Sequence, residues 1–434
     1  MDILNQLRAQ AEQVEVVDIH DESTTVGFQS NKLKSSQVEE TRGIAVRVVK
    51  DGRLGFAASS DTTPAALAKL VTNVLESAVY GDRVPIVFPA AQTAPQVRTY
   101  DPAIGQLSIP RLVAMGQEII ELILAVEPEA RVGVDLQRGV ARFTVRNQTG
   151  AEVSFQRSPL AVGVQLSRIQ GDDVLIMFDM LGTTVWEDDY LAPARRLAER
   201  LGMARRIASV QSGKMPVLFS PGGALALGIP LMEGLNGKNV YTGVSPLAGK
   251  VGQRLLDEKV TIVDDGTLDG RLGSAAYDDE GVPHRRNVLV ERGALKGFIY
   301  DLKTAAQSGV ESTGNASRDL FSAPHPAPTN LIFQAGSTPL AEMIAGVDHG
   351  LLVDDLLGLG QGNVVSGAFS NPVGLGFKIE NGEIVGRVKD VSIAGNVYEV
   401  LREVAAISRE TLWVYNTLSL PYILLPGMNV VAKA

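Results

Sequence analysis

The sequence predicts an α+β protein whose C-terminal half is rich in strands, and three observations carry that reading. Long amphipathic helical patterns are concentrated in the first half of the chain. From Met215 onward the sequence is Gly-rich and reads mostly as short strand-like runs. Hairpin-turn signals at Asp51-Gly52, Arg292-Gly293 and Asn381-Gly382 separate such runs. At 434 residues the chain exceeds one small core, and ordinary domain sizes divide it into two or three.

In chain order, "MDILNQLRAQAEQVEVV" places Ile3, Leu4, Leu7 and Ala11 at helical spacing. It has neither a basic n-region nor an apolar h-region, so it does not read as a signal peptide. Strand-like runs follow in "VEVVDIHDE", "TTVGFQSNKLKSSQVEE" and "GIAVRVVKDGRLGFAASS". A helix opens near "TTPAALAKLVTNVLESAVYG", with Thr63 as cap and Pro64 in the first turn. Residues 1–95 thus form an N-terminal α/β region with mixed sheet and helices, closed by the Pro-rich "VPIVFPAAQTAPQVRTYDP". A middle α+β unit, residues 108–208, starts with a helix whose apolar face is Leu112, Met115, Ile119, Ile123 and Val126. Four or five strands follow, and the helix "DDYLAPARRLAERLGMARRIAS" ends the unit. A polar hinge near Ser212 leads into the β-rich unit, residues 214–434. There the strand "MPVLFS" passes through the turn "PGG" into a short helix within "LALGIPLMEGLNGKNV". "PLAEMIAGVDHG" and "NVYEVLREVAAIS" are the clearest later helical patterns.

Composition removes several classes of function. A formal net charge of -9 and a pI near 5.2 argue against a general phosphate-backbone binder, which carries clustered cations. The densest basic group, Arg196 to Arg206, alternates with apolar residues at helical spacing and reads as a solvated helix face. No cysteine is present, which excludes disulfides, thiolate nucleophiles and cysteine metal ligands. No apolar run approaches the roughly 18 residues that span a bilayer. The expectation is a cytoplasmic protein with neither a nucleic-acid nor a membrane partner.

The search for chemistry returns little. His20, His284, His325 and His349 stand apart in sequence, so local zinc spacing is absent. "GLGQGN", Gly358 to Asn363, is not followed by a helix that could hold a pyrophosphate. Asp264-Asp265, Asp278-Asp279-Glu280 and Asp354-Asp355 read as turn chemistry. In "STGNASRD", Gly314 and Asn315 permit a left-handed turn while Thr313, Asn315 and Arg318 carry hydrogen-bonding groups. Such a loop either holds a peptide group or braces a β-barrel. Near "LALGIPLMEGLNG" one carboxylate, Glu233, stands without histidine, cysteine or serine.

Taken together in their order, "VRVVKDGRLGFA", "DDEGVPHRRNVLVERGALKGFIYD", "STGNASR", "PTNLIFQAG" and "GFKIENGEIVGRVKDVSIAGN" resemble the TldD/PmbA (TldD/TldE) family over essentially the whole chain. The resemblance implies two branches. The TldD branch is a zinc metallopeptidase with H-E-x-x-x-H on the helix after the strand that opens the C-terminal domain, and a downstream cysteine. The PmbA or TldE branch lacks that motif and partners the first in degrading or trimming unfolded peptides. An older label for the family is modulator of DNA gyrase. Matched to the motif, Gly228 and Ile229 occupy the positions of the first His and the Glu, and Glu233 that of the second His. Two imidazoles and a general base are what generate a zinc-bound hydroxide.

The chain is therefore identified as a member of the PmbA/TldE branch with no catalytic or metal-ligating residues of its own, zinc being expected only in a TldD-like partner. The C-terminal unit is expected to be a barrel-like, metalloprotease-like domain without its metal. Expected partners are that metallopeptidase subunit and an unfolded peptide, with a homodimer when the chain is alone. Thr313, Gly314, Asn315 and Arg318 are the candidate peptide-binding residues. Two alternatives stand beside this reading: a stand-alone peptidase with an atypical site, and a non-proteolytic peptide-binding or gyrase-modulating protein.

Overall fold

A computed structural model describes residues 2–186 and 189–433; Met1, Glu187, Asp188 and Ala434, including the first residue of the expected helix "DDYLAPARR", lie outside the described residues. After the short helix α1 (Ile3–Arg8), two long strands, β1 (Gln13–Gln29) and β2 (Lys32–Lys50), form a hairpin. Ser30 and Asn31 turn it, with φ of 48° and 67°. Further strands are β3 (Arg53–Ser59), β4 (Arg131–Asn147), β5 (Glu152–Arg157), β6 (Leu160–Gln170) and β7 (Asp173–Thr183). They join in one seven-stranded sheet of order β3-β2-β1-β4-β6-β7, with β5 attached to β4. All its pairings are antiparallel. Strands on either side of the Pro-rich stretch therefore share a single sheet.

Period-two alternation decides what covers this sheet. Val14, Val16, Val46 and Val48 are buried under α1 and α2 (Pro64–Val79), whose Leu67, Leu70 and Val74 face them. Thr63 caps α2 by accepting the amide of Ala66. The alternate residues Glu15, Val17, Ile19, Ala45 and Arg47 point to the opposite face, where Leu320 and Tyr277 of the C-terminal half pack. Past the short turn α3 (Pro102–Gly105), α4 (Ile109–Val126) packs Leu112, Met115, Ile119 and Ile123 over the far end of the sheet with α5 (Ala192–Met203).

Of the basic group Arg196 to Arg206, Arg205 and Arg206 are exposed, but the two arginines of α5 nearest β7 are not a solvated face. Arg196 lies 2.6 Å from Asp179 of β7, and Arg200 contacts both Asp179 and Asp354 at 2.5 and 2.8 Å. Helical spacing shows that these cations share a face; it carries no sign that an anion far along the chain will meet them.

The C-terminal half is built on a closed ring. From β8 (Gly213–Phe219) the pairing passes to His349–Leu356, Ala368–Glu380, Val391–Asn396 and Leu418–Ala432, and the last of these returns to β8. Shorter strands at Leu331–Phe333, Ile262–Asp265 and Arg286–Glu291 continue outward from Leu418–Ala432. The barrel-like α+β fold is thus present, with Val217, Phe219, Leu351, Ile393 and Leu420 in its core. The three turn dipeptides all have two successive positive φ values, as their hairpins require. "NVYEVLREVAAIS" is helical only over Val397–Val400. The Val404 amide bonds instead to the Asp257 carboxylate, and Ala406 enters a strand beside Leu424. Among the described residues no helix is long and apolar enough to cross a membrane.

Candidate functional site

The helix on which Gly228, Ile229 and Glu233 lie is α6 (Leu225–Gly234). It is entered from β8 through Ser220, Pro221, Gly222 and Gly223. A Cβ on Gly222 would sit 2.6 Å from the Asp354 carbonyl, and one on Gly223 2.2 Å from that of Val353. The two glycines thus let the turn press on the neighbouring strand, and this fixes the start of the helix. Ser220 anchors it, donating its amide to Val353 and accepting that of Gly223.

Along α6 the matched positions diverge. Gly228 faces the closing strand, where a Cβ would lie 3.3 Å from a Leu418 methyl and 3.7 Å from Leu420. Ile229 lines a cavity of about 410 Å3 with Leu225, Ala226 and Pro230, roofed by Gly358 to Gln361 and Ala368 to Pro372. Glu233 is partly buried, and its carboxylate accepts the Asn239 side chain at 3.0 Å. The Tyr398 hydroxyl lies 3.1 and 3.0 Å from the carbonyls of Pro230 and Val365. Burial, with Glu233 nearby, pushes this phenol well above its ordinary range.

These residues do not fit a zinc ion. A tetrahedral site needs three protein ligands and an open position; here Gly228 faces Leu418 and Leu420, and the one carboxylate, Glu233, is bonded to the Asn239 side chain. Among the described residues no group of three or more His, Asp or Glu is placed to hold a metal. The four histidines are dispersed. His20 bonds Glu40 at 3.1 Å, His325 and His349 are exposed, and His284 is buried. Because Gly314 offers His284 only a carbonyl, at 2.7 Å, Nδ1 must carry the proton. Burial and the nearby Arg157 lower this imidazole to about 4.

The second constellation lies where the N-terminal sheet meets the C-terminal half. Glu15 of β1 is held by Arg47 of β2 and by Arg318, each at 2.6 Å, and all three side chains are almost fully buried. Arg47 also reaches Glu280. Burial alone would raise Glu15, but Arg318 and Arg47 more than offset it and hold the carboxyl below its usual range. Glu280 is raised to about 7, chiefly by burial, against the pull of Arg47 and with Asp301 and Glu15 adding to the rise. Asp278 is raised by burial and by Glu280, although it accepts the amides of Ala316, Val282 and Glu280.

The loop "STGNASR" closes this joint, and the structure brings its four singled-out residues together there. Thr313 accepts the Tyr300 amide at 2.7 Å. Gly314 has φ of 71° and a Cβ there would lie 2.6 Å from the Pro283 carbonyl. Asn315 donates to Asp264 at 2.6 Å and to Ala327, and accepts from Asn287. Arg318 gives its amide to Asp279 and its guanidinium to Glu15. Every one of these bonds is internal. Burial pushes Asp264 up to about 6 against the hydrogen bonds from Asn315 and Thr329.

The acidic pairs read as turns are thus mostly structural anchors: Asp264, Asp278 and Glu280 are buried and bonded. Glu15 and Arg47 went unnoticed in the sequence, yet a signal existed. Each sits inside an apolar alternation, "VEVV" and "VRVV", where a charge on the buried face demands a counter-charge.

Residues 212–432 match the model of the PmbA/TldA metallopeptidase C-terminal domain, and residues 14–78 that of PmbA/TldA metallopeptidase domain 1. An uncharacterised protein of Methanocaldococcus jannaschii is 29% identical over 90% of each chain. A TldD metalloprotease homologue of Buchnera aphidicola is 34% identical over 45% of this chain and 41% of its own. The structure of TldE from Thermococcus kodakarensis superposes with a TM-score of 0.91 at 25% identity, covering 99% of both chains. A Thermotoga maritima structure whose name suggests a modulator of a DNA gyrase gives 0.90 at 24% identity over 99% and 98%, a likeness of fold.

Proposed function

Because the chain belongs to the TldD/PmbA metallopeptidase family, we propose that it is the PmbA/TldE-like, non-hydrolytic subunit of a TldD-type zinc metallopeptidase acting on unfolded peptides. One observation carries the reading: the position matched to the first zinc-binding His is Gly228, turned toward Leu418 and Leu420, with no imidazole beside it. Activating a water on zinc needs ligands that this helix does not supply. The likeness to TldE over nearly the whole of both chains agrees with it.

In this reading the chain contributes shape rather than chemistry. The cavity beside Ile229 is apolar on its helix side and bordered by the strand segment Ala368–Pro372, a lining suited to an extended peptide. The "STGNASR" loop serves it indirectly, by locking the two halves together through Arg318 and Glu15. Zinc and the water it activates belong to a TldD-like partner.

The test is reconstitution. Mixing the chain with a TldD-like subunit should raise cleavage of an unfolded peptide by at least about tenfold, roughly 1.4 kcal/mol of barrier, while this chain alone cleaves nothing. A mixed complex should elute in size-exclusion chromatography. A partner fully active by itself, with no mixed species, would end the subunit assignment.

A further inference from the structure

A second cavity, of about 520 Å3, lies where β7 and α5 meet the C-terminal half. Its apolar lining comes from both sides. Ile176, Phe178 and Met180 of β7 contribute with Met203 of α5, and Leu412 to Tyr415 contribute with Tyr422. The β8–α6 turn, Ser220 to Gly222, borders it, and Leu225 lines both this cavity and the one beside Ile229. Phe178 and Tyr415 are 50% and 61% exposed, so aromatic rings are open to solvent there. A space of this size with mostly apolar walls and few polar groups suits a small organic ligand.

The charges in the lining decide the ligand's sign. Arg200 gives Nε to the Arg196 carbonyl, Nη1 to Asp354, and Nη2 to Asp179 and the Phe178 carbonyl. Arg196 gives Nε and Nη2 to Asp179. Both guanidiniums are thus matched by Asp179 and Asp354. Asp355 and Glu199 line the same cavity and enter no ion pair among the described residues, while Arg195, one turn before Glu199, is bound to Asp189. Four carboxylates therefore stand against two guanidiniums. An anion would meet excess negative charge and arginine donors largely in use, whereas a cation would meet two unmatched carboxylates. The rings act in the same sense, because an aromatic face attracts positive charge. Arg271 already lies over Trp413, 4.6 Å from the ring centre, but among the described residues no cation covers Phe178, Tyr415 or Tyr422.

We propose that this cavity is a ligand site for a small organic ammonium ion with an apolar tail. The tail packs against Phe178, Met180 and Met203, and the head is drawn to Asp355, with Glu199 adding to the field. The site belongs to the chain by itself and does not depend on the subunit reading above.

Titration calorimetry on the full chain at neutral pH tests it with three probes that share a tail and differ in the head: phenylbutylamine, phenylbutanol and phenylbutyrate. The amine should bind at a single site per chain, at least about tenfold more tightly than the alcohol, and the acid should bind most weakly. Added salt should narrow the gap between amine and alcohol. Asp355→Asn should bring the amine to within about threefold of the alcohol, with the alcohol's own affinity and the melting temperature unchanged. Glu199→Gln, on the exposed face of α5, should weaken the amine in the same direction, whereas Glu39→Gln, an exposed acid outside the lining, should not. Three probes of equal affinity, an acid that binds best, an amine without saturable binding, or an amine indifferent to both Asp355→Asn and Glu199→Gln would each overturn the proposal.

Discussion

Arg318 concentrates the energetics of the joint in one side chain. It neutralises Glu15, which no water reaches, and its removal leaves a buried carboxylate with only Arg47 as partner. Arg318→Ala should therefore destabilise by about 3–5 kcal/mol, read as a lower urea midpoint. A variant of unchanged midpoint with impaired action in the reconstituted pair would instead make Arg318 part of a peptide wall. Glu280 gives a pH signature of defined sign. Its folded value near 7 exceeds the ordinary 4.5, so its contribution to stability is present below 4.5 and lost as pH rises through 7. His284 acts oppositely: lowered to about 4 from 6.5, its contribution is present above 6.5 and lost as pH falls through 4. The two largely cancel between 4.5 and 6.5. From pH 6.5 to 8 Glu280 prevails, so the wild type should lose stability as pH rises, by on the order of 1 kcal/mol. Glu280→Gln should flatten that limb in urea titrations at fixed ionic strength.

At the level of elements, two glycines separate conformation from space. Gly52 has φ of 69° with nothing near its missing Cβ, while Gly223 abuts a backbone carbonyl at 2.2 Å. Gly52→Ala should cost about 1–2 kcal/mol of left-handed strain. Gly223→Ala should cost about 1–3 kcal/mol or more, because the carbonyl it meets cannot rotate away, and it should disturb the α6 cavity as well. Peptide binding followed by fluorescence would register the second variant and leave the first unaffected. The same contrast shows what the sequence could reveal. The Asp51-Gly52 hairpin was legible because a local dipeptide dictates two positive φ values. The turns at Ser30-Asn31 and Tyr415-Asn416 have the same geometry but lack the glycine that advertises it. β1 and β2 were divided at Ser23 and at Thr41-Arg42, polar positions inside each strand, while the run between them passed unbroken over the Ser30-Asn31 turn. The charged joint was not legible, since Glu15 and Arg318 lie 303 positions apart and only folding juxtaposes them.

For the whole molecule, that joint makes the two sheets energetically dependent. Glu280, Asp278 and Arg318 are buried partly by the N-terminal sheet, so an isolated C-terminal half would face water with a cluster built for a dry interface. Differential scanning calorimetry should accordingly give one cooperative transition for the full chain. Two well-separated peaks would show that the halves melt independently. The closed ring has a consequence in time rather than energy. Its closing strand, Leu418–Ala432, touches β8, Val391–Asn396, Leu331–Phe333 and Ala406–Val414, and the ribosome makes it after every one of them. The earlier strands of the ring must wait, unsealed, at the tunnel exit until that last segment emerges. A nascent chain stalled ahead of Leu418 should thus be a chaperone client, however complete its N-terminal sheet already is.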